Sequence, residues 1–516
     1  MARYVIANRR AGKFSAAAKA ASRAEVATAL ATMPFATIIH DTDPDDPLAR
    51  RVMVIEADAG AMATHRVGLP PDVIVEPEII HYREWVPPRD VVPFRRQEAA
   101  PAAVGEAPFV IRVTGGGQQL PFATVKLYVR GFGSTVEVTG QTDAAGQVPF
   151  RIPPGHQPSV AVVAPLSAFW SVVVRGAGLQ QVIECPPLPF DGSLGWWHQA
   201  LGIDRVSSAD GSGIRVGVAD TGLGPHPDLA HSVAVGAFVD GDVLGADQTL
   251  DVDSHGTHVA GTIGARPTNP GMYSGIAPGC ELFAARVFPS AEAGASNADI
   301  ANAIDALSRT HGVDLINLSL GAAVPSEVVH DAIIDAAERG TLCLCAAGND
   351  AGPVNYPAAF PEAIAVSALG LAGWGPPGSL SASRLPMDAS LFGRENLYAA
   401  NFTSHGPQVL CGAPGVGIIA TVPDRHGTVG LYAVMDGTSM ATPVTCGALA
   451  VVLSRDPGYQ AMPRDIGRSQ AARGILRAIL RDVGLPLPTA AGGSHLQDKL
   501  LYSGTRYREG WSWPPM

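Results

Sequence analysis

Residues 1–82 alternate short apolar runs with two longer segments of helical composition. The apolar runs predict strands at residues 4–6, 36–39, 52–55 and 73–75. The Ala-rich residues 15–30 and the shorter segment 59–67 predict helices. The resulting order, β-α-β-β-α-β, is that of a ferredoxin-like α+β domain, which we predict for this part of the chain.

The segment after residue 82 changes character twice. Residues 83–107 are rich in Pro, Ala and charge, which is typical of a linker. Residues 108–186 alternate apolar and polar positions with period two and contain a Thr-Asp-Ala-Ala-Gly turn. Short alternating strands joined by such turns predict a small β-sandwich.

From residue 192 the apolar runs become continuous, and helical segments separate them. Buried strands are predicted at 214–219, 282–287, 313–318, 341–346 and 363–367, and a late helix at 471–480. Strands that alternate with helices favour an α/β fold, a mainly parallel sheet with helices on both faces. We predict this domain over residues 192–505, followed by a tail at 506–516.

Composition excludes several classes of protein. Of the 516 residues, 47% are hydrophobic and 16% are charged, which is typical of globular domains. A net charge of −11 with very few lysines leaves no dense basic surface, so we expect no nucleic-acid partner. The first residues lack the apolar core of a secretory signal, and no apolar run could span a bilayer. We therefore expect a cytoplasmic protein without membrane contact.

The six cysteines do not have the spacing of a disulfide framework. Cys343 and Cys345 alternate in an apolar run, so their side chains should point to one face of a buried strand. Cys446 lies in another apolar segment. We expect buried thiols, as in a reducing compartment.

Three short segments of the α/β region carry an acid, a base and a hydroxyl. Asp220 ends an apolar run, His255 opens a helical segment, and Ser439 lies in the phrase Gly-Thr-Ser-Met-Ala-Thr-Pro. A serine hydroxyl needs a neighbouring base, and the base needs an orienting partner. Singly, each residue could be a turn cap, a structural histidine or a helix N-cap. His258, three residues after His255 without an intervening Glu, does not fit the His-Glu-x-x-His zinc motif and is predicted to be structural.

Together, and in the order Asp, His, Ser, these segments resemble those of the subtilisin-like serine peptidases, or subtilases. The resemblance implies a serine endopeptidase acting on polypeptides, in which His255 takes the proton of Ser439 and Asp220 orients the imidazole. The segment 346–349 resembles the family's oxyanion segment, so the Asn349 amide would bind the oxyanion together with the Ser439 N–H. Asn349 also fits an ordinary Gly-Asn-Asp turn.

Further site residues follow from the same resemblance. Residues 317–321 resemble the lining of the family's substrate cleft, where an extended peptide would pair with Ser319, Leu320 and Gly321. The first side-chain pocket would be walled by small residues, which leave room for an apolar side chain: Ala346, Ala347 and Gly348. No cofactor is required. Asp228 matches one ligand position of a family calcium site, although the partner loop 266–274 is altered.

The N-terminal domain resembles the inhibitory propeptide of many subtilases, through residues 51–57 and the phrase Val75-Glu76-Pro77. This implies a zymogen whose own N-terminal domain is an intramolecular inhibitor. If the chain cleaves itself, we expect the cut between Ile79 and Pro108, because this stretch, rich in Pro and charge, should be exposed and extended. An unrelated small α+β domain is the alternative. Two other readings of the whole chain remain open: a peptide-binding pseudoprotease that acts as a scaffold, and a protein whose β-sandwich docks a partner.

Overall fold

The computed structural model describes residues 1–13, 15–42, 49–84, 108–176, 181–190, 192, 194–388, 391–424, 430–485 and 499–501. The predicted tail and residues 85–107 of the predicted linker lie outside these described residues. The described chain forms an N-terminal α+β unit, a β-sandwich and a large α/β unit. The mainly parallel α/β fold predicted from the sequence is confirmed.

The N-terminal unit begins with an antiparallel sheet and two helices. Its elements are β1 (Ala2–Asn8), α1 (Ala16–Ala31), β2 (Thr37–Thr42), β3 (Val52–Ala57), α2 (Ala59–His65), β4 (Val73–Pro77) and β5 (Ile80–Arg83). The sheet has the order β2-β3-β1-β4, and β5 leaves it. The side chains of Ser15 and Asp58 cap the two helices, accepting from the N–H groups of Ala18 and Ala61 at 3.1 and 2.9 Å.

The sandwich consists of two sheets around an apolar core. Its strands are β6 (Phe109–Gly115), β7 (Gln118–Gln119), β8 (Thr124–Gly131), β9 (Ser134–Gln141), β10 (Gln147–Phe150), β11 (Gln157–Ala164), β12 (Val172–Arg175) and β13 (Val182–Glu184). One sheet has the order β10-β6-β13 with β7 beside β6, and the other has the order β12-β11-β8-β9. Main-chain hydrogen bonds from Ala168 to Tyr432 and from Val173 to Gly378, each 2.8 Å, join the sandwich to the α/β unit.

The α/β unit follows the predicted alternation of strands and helices. Its first half contains α3 (Trp196–Ala200), β14 (Arg215–Asp220), β15 (Val233–Val239), β16 (Asp242–Leu244), α4 (His255–Gly264), β17 (Glu281–Arg286), β18 (Ala295–Ser296), α5 (Asn297–Asp305), β19 (Leu315–Leu318) and β20 (Leu320–Gly321). Its second half contains α6 (Glu327–Glu338), β21 (Leu342–Ala346), β22 (Ile364–Leu371), β23 (Leu397–Ala399), β24 (Val409–Pro414), β25 (Ile418–Thr421), β26 (Tyr432–Met435), α7 (Thr438–Ser454), α8 (Pro457–Gln460), α9 (Ile466–Ile479), β27 (Leu480–Asp482) and β28 (Lys499–Leu501).

The main sheet reverses its strand order at β14. The order is β16-β15-β17-β14-β19-β21-β22-β24-β28-β27, with β23 beside β22. The pairs from β15 through β28 along this order are parallel. After β14 the chain adds β15 and β17 on one side, then β19, β21 and β22 on the other. Open α/β sheets bind ligands beside the carboxyl ends of strands at such a reversal.

Helices cover both faces of this sheet, so its central strands are buried along their whole length. On one face α4 and α7 pack through residues such as Val259 and Met440, and on the other α5 and α6 pack through residues such as Ile304 and Val328. Cys343 and Cys345 share the second face, as predicted, and all six cysteines are buried free thiols. None of the helices within the described ranges is long and apolar enough to cross a bilayer.

The N-terminal sheet is apolar on both faces, and the two faces contact different partners. Ile6 and Met53 pack with α1 and α2, whereas Val5, Val54 and Ile74 join the apolar cluster of α5 and α6. The all-apolar Val-Met-Val-Ile run of β3 is the sequence signal of this double burial. The N-terminal unit therefore completes a core that belongs to the α/β unit.

A buried ion cluster joins the same two units. The Arg50 guanidinium lies between Asp331 and Asp305, with its Nε 3.0 Å from Asp305 Oδ2. Lys19 Nζ lies 2.7 Å from Asp335 Oδ1 in the same cluster. Burial lowers the pKa of Arg50, but Asp305, Asp331 and Asp335 outweigh burial and hold that pKa above its ordinary value. The charge of Arg50 is therefore retained in the interface.

The Glu76 carboxylate caps the N-terminus of α6 from the N-terminal unit. It accepts the Glu327 N–H and the Ser326 hydroxyl at 2.6 Å each, and the Val328 N–H at 3.1 Å. Asn297 Nδ2, at the start of α5, donates to the same carboxylate at 2.8 Å. An anion at a helix N-terminus satisfies free N–H groups and complements the helix dipole. One side chain thus fixes the N-terminal unit to both covering helices.

Arg50→Ala should loosen this docking, because it removes the nearest cation from the buried Asp331 and from Asp305. Removal of one partner of a buried ion pair typically costs about 3–5 kcal/mol. Amide hydrogen exchange at the first turn of α6 should rise. Arg66→Ala, the same change at an exposed position just after α2, is the control and should leave that exchange unchanged. Equal protection in both variants would show that the ion cluster does not hold the interface.

Candidate active site

Asp220 and His255 meet at the carboxyl edge of the sheet, at the strand where the order reverses. Asp220 is the last residue of β14 and His255 is the first residue of α4. His255 Nδ1 lies 2.7 Å from Asp220 Oδ1, and both side chains are buried. The Thr221 N–H donates to the same oxygen at 2.7 Å. Because a carboxylate only accepts hydrogen bonds, this contact places the proton on Nδ1.

The loop before α4 is held by Asp251, a residue that the sequence analysis did not select. Its carboxylate accepts the Thr257 N–H at 2.9 Å, the Ser254 N–H at 3.0 Å and the Thr221 hydroxyl at 2.8 Å. Ser254 has a φ of 132°, a conformation that favours glycine. Asp251 therefore caps α4 and stabilises a strained residue directly before His255. An Asp in a polar run ahead of a helix was the available signal.

His258 has a structural role, as the sequence predicted. Its Nε2 lies 3.1 and 3.2 Å from the carbonyl oxygens of Ile418 and Ala433. Burial, together with the nearby His255, lowers the pKa of His258 to about 3. The neutral ring thus ties α4 to the hairpin of β25 and β26.

Ser439 is the second residue of α7 and is fully buried. Its hydroxyl donates to the Ser319 carbonyl at 3.1 Å, and the Ser319 hydroxyl donates back to the Ser439 carbonyl at 2.9 Å. This exchange joins the start of α7 to the loop after β19. Ser439 is therefore fixed at the edge of the sheet that also carries Asp220.

Asn349 follows β21 and faces the start of α7. Its Oδ1 accepts the Thr438 N–H at 2.9 Å and the Thr438 hydroxyl at 3.0 Å. An N–H can only donate, so the orientation of the Asn349 amide is defined by this contact. The amide nitrogen, Nδ2, is buried and has no hydrogen-bond partner among the described residues. A buried donor without a partner next to a serine is an arrangement suited to a transient anion.

Strand β5 of the N-terminal unit occupies the cleft beside Ser439. It lies between β18 and β20 and is antiparallel to both. Arg83 pairs with Leu320, and the Glu84 N–H donates to the Ser319 carbonyl at 3.1 Å. Residues 319–321, which were predicted to pair with an extended peptide, here pair with a segment of their own chain.

Glu84 touches the site with both its main chain and its side chain. Its carbonyl accepts the Ser439 N–H at 2.8 Å. Its side-chain Oε1 accepts the Asn355 Nδ2 at 2.9 Å. Burial is the largest cause that raises the pKa of Glu84; Asp350 also raises it, and the Asn355 amide and the Asn349 main chain oppose the shift, so that the pKa is about 7. Arg83 pairs with Asp253, two residues before His255, so Arg83 contacts the segment before α4 while Glu84 contacts the start of α7.

Two expectations from the sequence differ from this arrangement. The predicted linker began at residue 83, but Arg83 is in β5 and Glu84 is buried in the cleft. Long-range strand pairing, which local composition does not report, holds them there. The pocket expected to take an apolar side chain instead holds the Glu84 carboxyl group, because Asn355 contributes an amide from a loop that no sequence pattern connects to it.

The three small residues that were predicted to wall this pocket are all buried: Ala346, Ala347 and Gly348. The Ala347 carbonyl accepts the Asn355 N–H at 2.8 Å. A Cβ added to Gly348 would lie 2.8 Å from Asn355 Nδ2, and one added to Gly321 would lie 2.3 Å from Glu84 Oε1. Both positions need glycine because the polar groups approach the backbone so closely.

Asp228, the predicted calcium ligand, is occupied by protein donors. Its Oδ1 accepts both the N–H and the hydroxyl of Thr268 at 2.7 Å, and its Oδ2 accepts the Tyr432 hydroxyl. Calcium requires six to eight oxygen ligands. Within the described ranges no group of three or more His, Cys, Asp or Glu side chains could hold a metal ion. These surroundings do not fit calcium at Asp228, because the altered loop supplies donors to the carboxylate where a calcium site needs further acceptors.

The α/β unit that carries this site is similar to known proteins. Residues 211–483 match the model of the subtilase family, Peptidase S8. The chain is 36% identical over 266 residues to Subtilisin Savinase of Lederbergia lenta, covering 50% of this chain and 85% of that protein. It is 32% identical over 280 residues to the major intracellular serine protease of Bacillus subtilis (strain 168), covering 52% of this chain and 77% of that protein.

A solved crystal structure of a cold-adapted subtilisin-like serine proteinase is 25% identical, with 58% of this chain and 91% of that chain covered and a TM-score of 0.43. The family model extends over more than half of this chain, from residue 211 to residue 483. The chain belongs to the subtilase family of serine endopeptidases.

Proposed function

We propose that this protein hydrolyses internal peptide bonds of polypeptides with Asp220, His255 and Ser439 as its catalytic triad. One contact carries the proposal: the Ser439 N–H donates at 2.8 Å to a main-chain carbonyl, that of Glu84. A carbonyl bound by this N–H lies beside the hydroxyl of the same residue. Holding the two reacting groups together in this way supplies much of the rate enhancement of an enzyme.

The proposed reaction follows from the order of contacts. The Ser439 hydroxyl leaves the Ser319 carbonyl, attacks the substrate carbonyl carbon and transfers its proton to Nε2 of His255. His255 then gives this proton to the leaving amine as the C–N bond breaks, and water releases the acyl group by the same steps. Asp220, bonded to Nδ1, stabilises the imidazolium formed in both halves. No cofactor takes part.

The oxyanion formed in each half-reaction needs two donors. The Ser439 N–H already contacts a carbonyl oxygen, and the Asn349 Nδ2 is a buried donor in the loop that faces the same helix terminus. We assign both to the oxyanion. Donors fixed in advance stabilise the transition state without reorganisation at the moment of reaction.

We further propose that the N-terminal unit is an intramolecular inhibitor of this peptidase. Its strand β5 takes the place of a substrate strand, while Glu76 and Arg50 anchor the unit to α5 and α6. Self-cleavage between Ile79 and Pro108 would separate β5 from the rest of the chain and leave it in the cleft as a non-covalently bound product. Activity would then require departure of the fragment as well as the cut.

Ser439→Ala should abolish peptidase activity and leave the chain uncut, because the attacking oxygen is lost. Intact mass and hydrolysis of an internally quenched peptide should be measured for wild type and variant. Ser208→Ala, the same change at an exposed position, is the control and should behave as wild type. A Ser439→Ala protein that still hydrolyses peptide would refute the nucleophile. A wild-type protein that binds peptide without hydrolysing it would support the scaffold alternative.

Asn349→Ala should lower kcat much more than it raises KM, because the oxyanion exists only near the transition state. The expected loss is about a hundredfold or more, as is typical when one such donor is removed from subtilisin. Steady-state kinetics over a range of peptide concentrations separates the two constants. A change confined to KM would mean that Asn349 only lines the cleft.

A fragment of residues 1–84 added in trans should inhibit the processed enzyme, because it carries both the docking sheet and β5. A fragment of residues 1–77 keeps the docking sheet but lacks the cleft strand, so it should dock without blocking the site. Hydrolysis of a short peptide measures inhibition, and light scattering or calorimetry measures docking. Failure of the longer fragment to inhibit at high micromolar concentration would contradict the inhibitor proposal.

A further inference from the structure

The pocket that receives the Glu84 side chain is built from polar groups. Asn355 Nδ2 donates at 2.9 Å to Glu84 Oε1 and at 3.1 Å to the Asp350 carboxylate. Because Asp350 accepts from the same nitrogen, the amide of Asn355 presents a donor to the pocket. The Asn349 main chain also lies near the Glu84 carboxyl group and favours its charged form.

The shape of the pocket also suits a side chain that ends in a planar polar group. Gly321 leaves the space that Glu84 Oε1 fills, since a Cβ there would lie 2.3 Å from that oxygen. Gly348 leaves the space for the Asn355 amide, since a Cβ there would lie 2.8 Å from Nδ2. An apolar side chain of similar length would fit, but it would bury the Asn355 donor without an acceptor on the substrate side. A buried donor left unpaired in this way is costly.

We infer that this subtilase selects glutamine and protonated glutamate as the residue before the scissile bond, that Asn355 is the residue that determines this selectivity, and that self-cleavage occurs between Glu84 and Trp85. The inference rests on the proposed function, because it names the substrate class of the same site. It replaces the apolar preference expected from the small residues of the wall.

The electrostatic surroundings distinguish glutamine from glutamate. The pocket brings a substrate carboxyl group close to Asp350 and away from water, and it raises the pKa of Glu84 from 4.5 to about 7. The protonated acid is therefore bound better than the carboxylate. Binding of a glutamate peptide should be strongest below its free pKa and should weaken until pH reaches about 7, whereas binding of a glutamine peptide lacks this titration.

The test uses the full-length protein after self-processing. Quenched peptides carry the sequence of residues 79–83, then Glu, Gln, Met or Leu, then the sequence of residues 85–87, and mass spectrometry identifies the bond that is cut. Glutamine and methionine have nearly the same size. The ratio of kcat/KM for the glutamine peptide to kcat/KM for the methionine peptide therefore measures the contribution of the glutamine amide oxygen, which accepts a hydrogen bond. We expect this ratio to favour glutamine by about tenfold or more. The Glu/Gln ratio, in which the titration of the triad cancels, should fall between about pH 4.5 and 7 and then level off.

Asn355→Leu, which keeps the approximate size and removes the donor, should abolish the glutamine preference while the methionine peptide is still cut. Hydrolysis of the methionine peptide should therefore rise relative to that of the glutamine peptide. Misfolding cannot cause this change, because it would lower hydrolysis of all four peptides. Asn269→Leu, the same change at an exposed position, is the control and should retain the wild-type order of preference. If Asn355→Leu retains the glutamine preference, Asn355 is not the determinant and the inference is overturned.

Self-processing gives an independent readout. Glu84→Gln should be processed as fast as wild type or faster. Glu84→Met should be processed more slowly, by about tenfold or more. The processed form of both variants should begin at Trp85. If wild-type protein hydrolyses peptides but favours methionine or leucine, or begins elsewhere than Trp85, the selectivity is wrong and the peptidase assignment stands. If no peptide is hydrolysed and wild type matches Ser439→Ala in mass, the proposed function itself fails.

Discussion

The polar groups at the ends of the central strands depend on the parallel arrangement of those strands. Parallel strands end at the same edge of a sheet, so β14, β19 and β21 deliver Asp220, Ser319 and Asn349 to one place although many residues separate them in the chain. The reversal of strand order at β14 leaves room there for the N-termini of α4 and α7. The chemistry proposed for Ser439 requires little more than this shared edge and the free N–H groups of a helix.

The position of the N-terminal unit depends on the burial of an apolar sheet face. Its sheet needs a cover for its second apolar face, and the α/β unit supplies α5 and α6. Once the sheet is docked, the short segment from β4 to β5 leads directly into the gap between β18 and β20. The proposed inhibition therefore needs the docked sheet as well as β5. Burial of the larger apolar surface sets where β5 lies, and Glu76 and Arg50 define the register of that burial.

Local patterns in the sequence were sufficient for many of the elements and for the element boundaries at which Asp220, His255 and Ser439 lie. The β-α-β-β-α-β order, the period-two sandwich strands and the positions of Asp220 and His255 at element boundaries all follow from short-range signals. Glu84 and Asn355 could not be found in this way. They lie 271 positions apart, and they meet only because β5 pairs with β20 and the loop after β21 turns back over it. Asp251 was overlooked for a different reason, since an aspartate in a polar run has many ordinary roles.

The charged interface has a consequence for the rates at which the two units meet and part. Removal of residues 1–84 would leave Asp305, Asp331 and Asp335 without Arg50, so an acidic patch would face a basic one across the solvent. Attraction between separated surfaces speeds their encounter and is screened by salt over about 10 Å. The same pairs, once buried, are largely shielded from mobile ions. Ionic strength therefore controls how fast the fragment is recaptured much more than how long it stays bound.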